Sequence, residues 1–280
     1  MVTKLNTATQ KGFTLVELIT VIMILGIVLV GVSGFITFGT RIFVDSSSVD
    51  QVLSDSRFAL QRMTRELRTA LPNSLRVKSG SDYQCIEFVP VVTSTSYLSL
   101  SFRGSTSNGT GRILADDRPT RIKAGHRAYV YPLTTNEVYE DNSVISKYAQ
   151  VRRPPLQTED ELTLTFSTID SQNIQFREAS PQKRIYFTNT PVSYCFLSGT
   201  NELRRYSNYA FPVEQREPSG MSRGSLLARN IVNRQVGDDF PITLTPATLV
   251  NNALIHLQPR FEVNGETIQY QHQVQVINVP

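Results

Sequence analysis

Tryptophan is absent from this 280-residue chain, histidine occurs three times and cysteine twice. No Cys-x-x-Cys pair and no Cys/His cluster with metal spacing is present, so the sequence offers no structural zinc site. Charge is also scarce. Asp, Glu, Lys and Arg make up 19% of the chain and leave a net charge of +4. Lys4 and Lys11 supply two of those charges, so removal of residues 1–12 would leave +2. With no dense basic run, nothing argues for a nucleic-acid partner. Hydrophobic residues reach 40%, which excludes a largely disordered chain. The length suffices for one or two domains with a real core. No internal repeat is evident, and no cofactor is called for.

What is present is concentrated at the N-terminus. Residues 1–12 are polar and carry lysines but no acid. From Phe13 to Thr40 the only charge is Glu17, and Leu18–Thr40 gives 23 residues with none. About 20 mostly apolar residues are enough for a helix to cross a bilayer core. The basic flank should stay cytoplasmic, which would put the rest of the chain on the other side. A secretory signal peptide is one reading, but the apolar run continues through Phe35, Ile36 and Phe38 with no good small-residue cleavage site after it. An uncleaved signal anchor is another. Neither explains Glu17, because a carboxylate near a bilayer centre costs about 2.5–3.5 kcal/mol on insertion scales and so points to function.

Lys11-Gly12-Phe13-Thr14-Leu15-Val16-Glu17-Leu18 resembles the signal of type IV prepilins and of type II secretion pseudopilins. The resemblance implies cleavage between Gly12 and Phe13 by a membrane aspartic peptidase, followed by methylation of the new Phe13 amine. It implies a subunit with no enzymatic activity whose partners are other pilins, the prepilin peptidase and methyltransferase, and the inner-membrane assembly platform. The spacing fits the chemistry. Glu17 lies one helical turn beyond the Phe13 amine that cleavage would free. Pairing of carboxylate and amine, within one subunit or between neighbours, would make two costly charges tolerable and set an axial register. Gly12 would present the scissile bond with little steric demand.

The helical pattern continues beyond the apolar run. Val49, Val52, Leu53, Ser56, Ala59, Leu60, Met63, Leu67, Ala70 and Leu71 recur at helical spacing. Pro72 should end the helix, which would run from about Phe13 to Leu71. Asp45-Ser46-Ser47-Ser48 is a weak stretch within it. Gly26, Gly31, Gly34 and Gly39 each lower helix propensity by about 1 kcal/mol relative to Ala. They serve close packing or local melting, or are ordinary membrane-helix glycines. Arg57, Arg62, Arg65 and Arg68 read as a solvated helix face rather than as a partner-binding set.

After Pro72 the pattern turns to strands. Leu98–Phe102, Ala128–Tyr131, Leu162–Phe166 and Ile185–Phe187 are short candidates. Ile268, Tyr270, His272, Val274 and Val276 alternate with glutamines, which predicts one antiparallel strand with a buried face that includes His272. Loops are expected over Gly104–Gly111, Pro154-Pro155 and Pro218–Gly220. Helix followed by sheet implies an α+β fold. With the resemblance, the expectation is pilin-like: a long N-terminal α-helix packed on an antiparallel β-sheet. The expected division is a leader over 1–12, a membrane and filament-core helix over 13–40, its amphipathic continuation over 41–72 and a periplasmic β-rich domain over 73–280.

Two longer stretches refine the resemblance. Arg57–Arg68 with Ala70-Leu71-Pro72-Asn73-Ser74, and the ending Tyr270–Pro280, are similar to minor pilins of the mannose-sensitive haemagglutinin (MSHA) pilus. J-type pseudopilins share a similar helix and stand as the alternative, as does an adhesin borne on a pilus. Residues 90–225 carry no recognisable motif.

Cys85 and Cys195 both sit in apolar strand-like runs and would pair in an oxidising compartment, or else stand as two buried thiols. Gly220-Met221-Ser222-Arg223-Gly224 matches G-x-S-x-G, with Asp238 or Asp239 and then His256 or His272 following in hydrolase order. The polar, proline-broken residues before it do not make a nucleophile elbow. His126, His256 and His272 are too scattered for a metal site. Asp116-Asp117 and Gly237-Asp238-Asp239 lack a full calcium-loop pattern and read as solvated turns. Asn108-Gly109-Thr110 matches a glycosylation acceptor, though a glycine turn is the simpler account.

Overall fold

The computed structural model describes residues 12–104, 109–115, 121–140, 144–153, 156–158, 161–168, 172, 174–235, 237, 239–248 and 251–277. The calls on Lys4, Lys11, Asn108, Asp116, Asp117, Pro154, Pro155 and Asp238 lie outside them. The chain forms two compact units, residues 1–51 and 52–280.

Helix α1 spans Leu15–Leu67. It includes the Asp45–Ser48 stretch, where the Ser48 hydroxyl donates to the Asp45 carbonyl at 2.8 Å and so satisfies itself within the helix. In the second unit α1 buries Ser56, Ala59, Leu60, Met63, Thr64 and Leu67, the stripe that the helical spacing predicts. The helix stops short of Leu71. The Leu71 N–H donates to Val89 O and the Val91 N–H to Thr69 O, both at 2.8 Å, so sheet-like pairing takes over before Pro72. Asn73 then turns the chain with φ 60°, a left-handed conformation that Asn tolerates.

The strands follow in order. They begin with β1 (Arg76–Ser79), β2 (Tyr83–Phe88), β3 (Val91–Leu100), β4 (Thr110–Leu114) and β5 (Arg127–Tyr129), then the short helix α2 (Thr135–Tyr139). Next come β6 (Ile145–Ser146), β7 (Tyr148–Val151), β8 (Leu156–Thr158), β9 (Glu161–Ser167), β10 (Gln175–Phe176) and β11 (Arg184–Thr188). The last are β12 (Val192–Leu197), β13 (Glu202–Tyr206), β14 (Ser225–Arg229), β15 (Ile242–Thr245), β16 (Ala253–Leu257), β17 (Arg260–Val263), β18 (Glu266–Gln269) and β19 (His272–Val276).

A five-stranded antiparallel sheet runs β1-β2-β12-β13-β14. Alternation gives it two faces. Ile86, Phe88, Tyr194, Phe196 and Leu203 pack with Ala59, Leu60, Met63 and Leu67 of α1 and with Ile255 and Val274. Cys85 and Cys195 pack on the other face with Tyr206 and Tyr209. The fold is therefore α+β and pilin-like, with the helix packed on an antiparallel sheet.

A second sheet runs β4-β3-β11-β5-β7-β9-β8, and β4 also pairs with β9. That extra ladder closes six antiparallel strands into a small barrel, which removes the exposed edges of an open sheet. Its interior is filled by Ile113, Ala128, Ala149, Leu162, Leu164, Phe166, Ile185 and Phe187, among others. The barrel occupies the stretch that carries no sequence motif. Gly111, expected in a loop, lies in β4, where an added Cβ would meet Leu100 at 2.5 Å and Phe166 at 2.8 Å.

The predicted last strand is two strands. β17 and β18 form a hairpin with Val263 opposite Glu266, joined through Asn264 (φ 52°) and Gly265 (φ 80°). That Asn-Gly pair is a type I′ hairpin signal. The chain then leaves this hairpin, and β19 pairs instead with β16 in the three-stranded sheet β15-β16-β19. Val274 and Val276 are buried, but His272 is exposed. The expectation of a core histidine is thus corrected, because the buried alternation resumes only at Val274.

Candidate processing and assembly site

The first turn of α1 is built by Thr14. The Glu17 N–H donates to Thr14 Oγ1 at 3.3 Å, and the Leu18 N–H donates to the Thr14 carbonyl at 3.2 Å. Thr14 therefore acts as the N-cap, with Glu17 at the third helical position. Thr-x-x-Glu is the capping-box sequence, a signal that the reading of Glu17 as an assembly residue passed over. A carboxylate here also interacts favourably with the positive end of the helix dipole. Among the described residues, no ion pair includes Glu17. Glu17 thus donates its backbone N–H to this cap, and its carboxylate stands near the positive end of the helix.

Gly12 has nothing within 4 Å of the position a Cβ would occupy, and neither do Gly26, Gly31, Gly34 and Gly39. The folded chain itself does not require glycine at Gly12, so any demand for a small residue there is external. Phe13 is 83% exposed, and every residue from Gly12 to Ser47 is exposed. Among the described residues nothing covers the apolar side chains from Leu15 to Val44, and α1 is long and apolar enough to cross a membrane.

Residues 7–33 match the prokaryotic N-terminal methylation motif. No curated protein and no solved structure matches the chain. The motif supports a type IV pilin-like protein, a pilin or pseudopilin subunit. In general such subunits are processed by prepilin peptidase and assemble with other pilins. Motif and apolar helix together fit membrane anchoring before assembly, and the motif suggests a structural subunit rather than an enzyme.

The structure brings Cys85 and Cys195 together as a disulfide with Cα atoms 4.1 Å apart. The residues stand directly opposite each other on β2 and β12. Two residues further along β2, Glu87 is fully buried. It accepts from Arg76 Nε at 2.7 Å and from the Tyr209 hydroxyl at 3.0 Å, and the Arg76 guanidinium lies 3.6 Å from the centre of the Tyr139 ring. Burial pushes the Glu87 carboxyl above its ordinary value, against the pull of Arg76 and Tyr209. This network ties the first sheet to the 207–216 segment and is structural.

The hydrolase-like residues lack the expected surroundings. Ser222 is exposed, between a single 3-10 turn at Pro218–Gly220 and strand β14 rather than between a strand and a helix. Asp239 accepts from Arg260 Nη2 at 2.6 Å and from Asn233 Nδ2 at 3.0 Å. Among the described residues, no group of three or more His, Cys, Asp or Glu side chains could hold a metal.

Proposed function

We propose that this chain is a minor pilin of a type IV pilus of the MSHA type, resembling MshO, made as a precursor and cut between Gly12 and Phe13. The observation that carries the reading is the N-terminal methylation motif at the head of an apolar helix whose side chains find no cover among the described residues. A helix exposed in this way needs lipid or other helices around it, and a filament subunit uses both in turn. The Phe13 amine, methylated after cleavage, and Glu17 act as a charge pair in the filament core and set axial register.

The globular part folds in the periplasm, and the Cys85–Cys195 disulfide suits such an oxidising compartment. The six-stranded barrel is additional to the sheet that receives the helix. Extra bulk of this kind suits a low-copy role in initiation or at the tip better than a repeating shaft position.

Mass spectrometry of the chain from its native host tests the processing step. It should report a mature N-terminus at Phe13 carrying one methyl group on its amine. A product that still begins at Met1 overturns the reading. Glu17→Ala should abolish incorporation into filaments while leaving cleavage intact, read by immunoblot of sheared filaments. Loss of the gene product should reduce pilus number, and normal piliation would count against the role. Co-purification with secretion proteins instead of pilins would favour the pseudopilin alternative.

A further inference from the structure

The segment after β14 runs antiparallel to β17. Ile231 bridges to Phe261. The Val232 N–H donates to the Arg260 carbonyl at 3.0 Å, and the Glu262 N–H to the Asn230 carbonyl at 2.9 Å. Ile231, Asn233 and Phe261 are buried. Alternation therefore puts Val232 and Arg234 on the opposite face, together with Arg260 and Glu262. Across the hairpin, β18 places Thr267 opposite Glu262. The turn after β12 adds Ser198, and these side chains line a cleft of about 480 Å³.

One wall of the cleft is fixed. Asp239 accepts from the Arg234 backbone N–H at 2.9 Å and from Arg260 Nη2 at 2.6 Å, which holds the Arg260 guanidinium and neutralises it. The Arg260 Nε–H is buried and, among the described residues, has no acceptor. A buried donor left unpaired is costly, so this guanidinium is short of one acceptor. The Arg234 and Glu262 side chains are exposed, and among the described residues neither enters an ion pair. Arg234 lies two residues beyond Val232, and Glu262 two residues beyond Arg260 in the opposite direction. Four residues of extended chain put them roughly 13 Å apart at 3.3 Å per residue.

One cation and one anion at that separation narrow the ligand. A divalent cation would meet a single carboxylate, fewer oxygens than such ions take. An anion alone would be opposed by Glu262. Among the described residues no aromatic side chain lines the cleft, so a sugar ring has no face to stack on. A molecule with a cation at one end and an anion at the other satisfies both groups. Three residues of extended peptide span roughly 10 Å, which leaves room for each terminus to meet a side chain.

We propose that this cleft binds a short peptide by its two ends. The terminal ammonium meets Glu262, the terminal carboxylate meets Arg234, and a carbonyl between them accepts from the Arg260 guanidinium. The Ser198 and Thr267 hydroxyls bond the remaining backbone groups. The proposal stands on these side chains alone and does not depend on the filament reading.

The test uses the full chain in a non-ionic polyoxyethylene detergent, with trialanine as the probe and isothermal titration calorimetry as the readout. N-acetyl-trialanine and trialanine amide should each bind roughly tenfold more weakly than trialanine, the effect of losing one charge-assisted hydrogen bond. Glu262→Gln should bind trialanine and its N-acetyl form equally, and Arg234→Gln should bind trialanine and its amide equally. Circular dichroism should be unchanged in both, because both side chains are exposed. Equal binding of the capped peptides by the wild-type chain would overturn the proposal, as would retention of both charge preferences in the two variants. So would no binding at about 10 mM trialanine, or tighter binding of glucuronate than of trialanine.

Discussion

The two units of this chain place their apolar residues in opposite ways. In the described part of the first unit, Phe13, Val16, Ile27, Val30 and Phe35 are each more than two-thirds exposed. In the second, Met63, Leu67, Ile86, Phe88, Tyr194 and Phe196 are fully buried. Both sets include residues of the same helix, so secondary structure does not make the difference. What differs is whether a sheet is present to receive the side chains. A helix apolar all round has too wide a face for one sheet to cover, whereas the Ser56–Leu67 stretch offers a single stripe. Stability in the second unit therefore rests on intramolecular packing. The first unit finds no such packing among the described residues.

Measurements on the full chain in detergent can break or sharpen that contrast. The largest effect should come from the disulfide, which joins residues 110 apart in sequence. Replacing both Cys85 and Cys195 with Ala should lower the unfolding free energy of the second unit by about 4–5 kcal/mol on the chain-entropy account, read from guanidinium titrations. Next is Leu67→Ala, which removes a fully buried side chain between α1 and the sheet and should cost about 2–5 kcal/mol. An unchanged midpoint would show that the helix adds nothing to that core.

A smaller effect concerns pH. Glu87 has its carboxyl pushed upward by burial, so the folded chain holds its proton to a higher pH than the unfolded chain does. Its contribution to stability is then fully present below the ordinary carboxylate value and is lost as pH rises through the raised one. The difference in stability between wild type and Glu87→Gln should slope in that window and be flat well above it. The smallest effect belongs to Val30→Ala in the exposed apolar run, which should shift the second unit's unfolding by no more than about 0.5 kcal/mol. A large shift would mean that the two regions are not energetically distinct.

The apolar helix of the first unit and its methylation motif were legible because the code there is local. The apolar run, Glu17 and the Gly12-Phe13 pair lie within a few turns of one another. The amphipathic stripe was equally plain, and Ala59, Leu60, Met63 and Leu67 are buried as the spacing predicts. Strands β3, β5, β9 and β11 overlap the short candidates at Leu98–Phe102, Ala128–Tyr131, Leu162–Phe166 and Ile185–Phe187. Two local signals were present but passed over: Thr14-x-x-Glu17 as a cap and Asn264-Gly265 as a hairpin turn. Reading the turn would have supplied the β17–β18 hairpin, but the break at Tyr270-Gln271 that takes His272 out of the core carries no such signal.

The barrel was not legible. Its closure depends on Thr110–Leu114 pairing with Glu161–Thr165, and nothing in either segment names the other. The arginine face is exposed at Arg57, Arg65 and Arg68, in keeping with a solvated face, and one member departs from it. From the sequence Arg57, Arg62, Arg65 and Arg68 look alike, but Arg62 is held by Glu66, which Arg205 also grips from β13.

By itself, the sequence determined the long apolar helix, the N-terminal methylation motif, the buried stripe and the α+β class. Each is written in neighbouring residues, through charge, hydropathy and helical period. Tertiary structure alone decided that Cys195 stands opposite Cys85, that β4 closes on β9, and that Glu66 holds both Arg62 and Arg205. Those outcomes depend on contacts between residues far apart in the chain, selected by burial and backbone pairing across the whole fold.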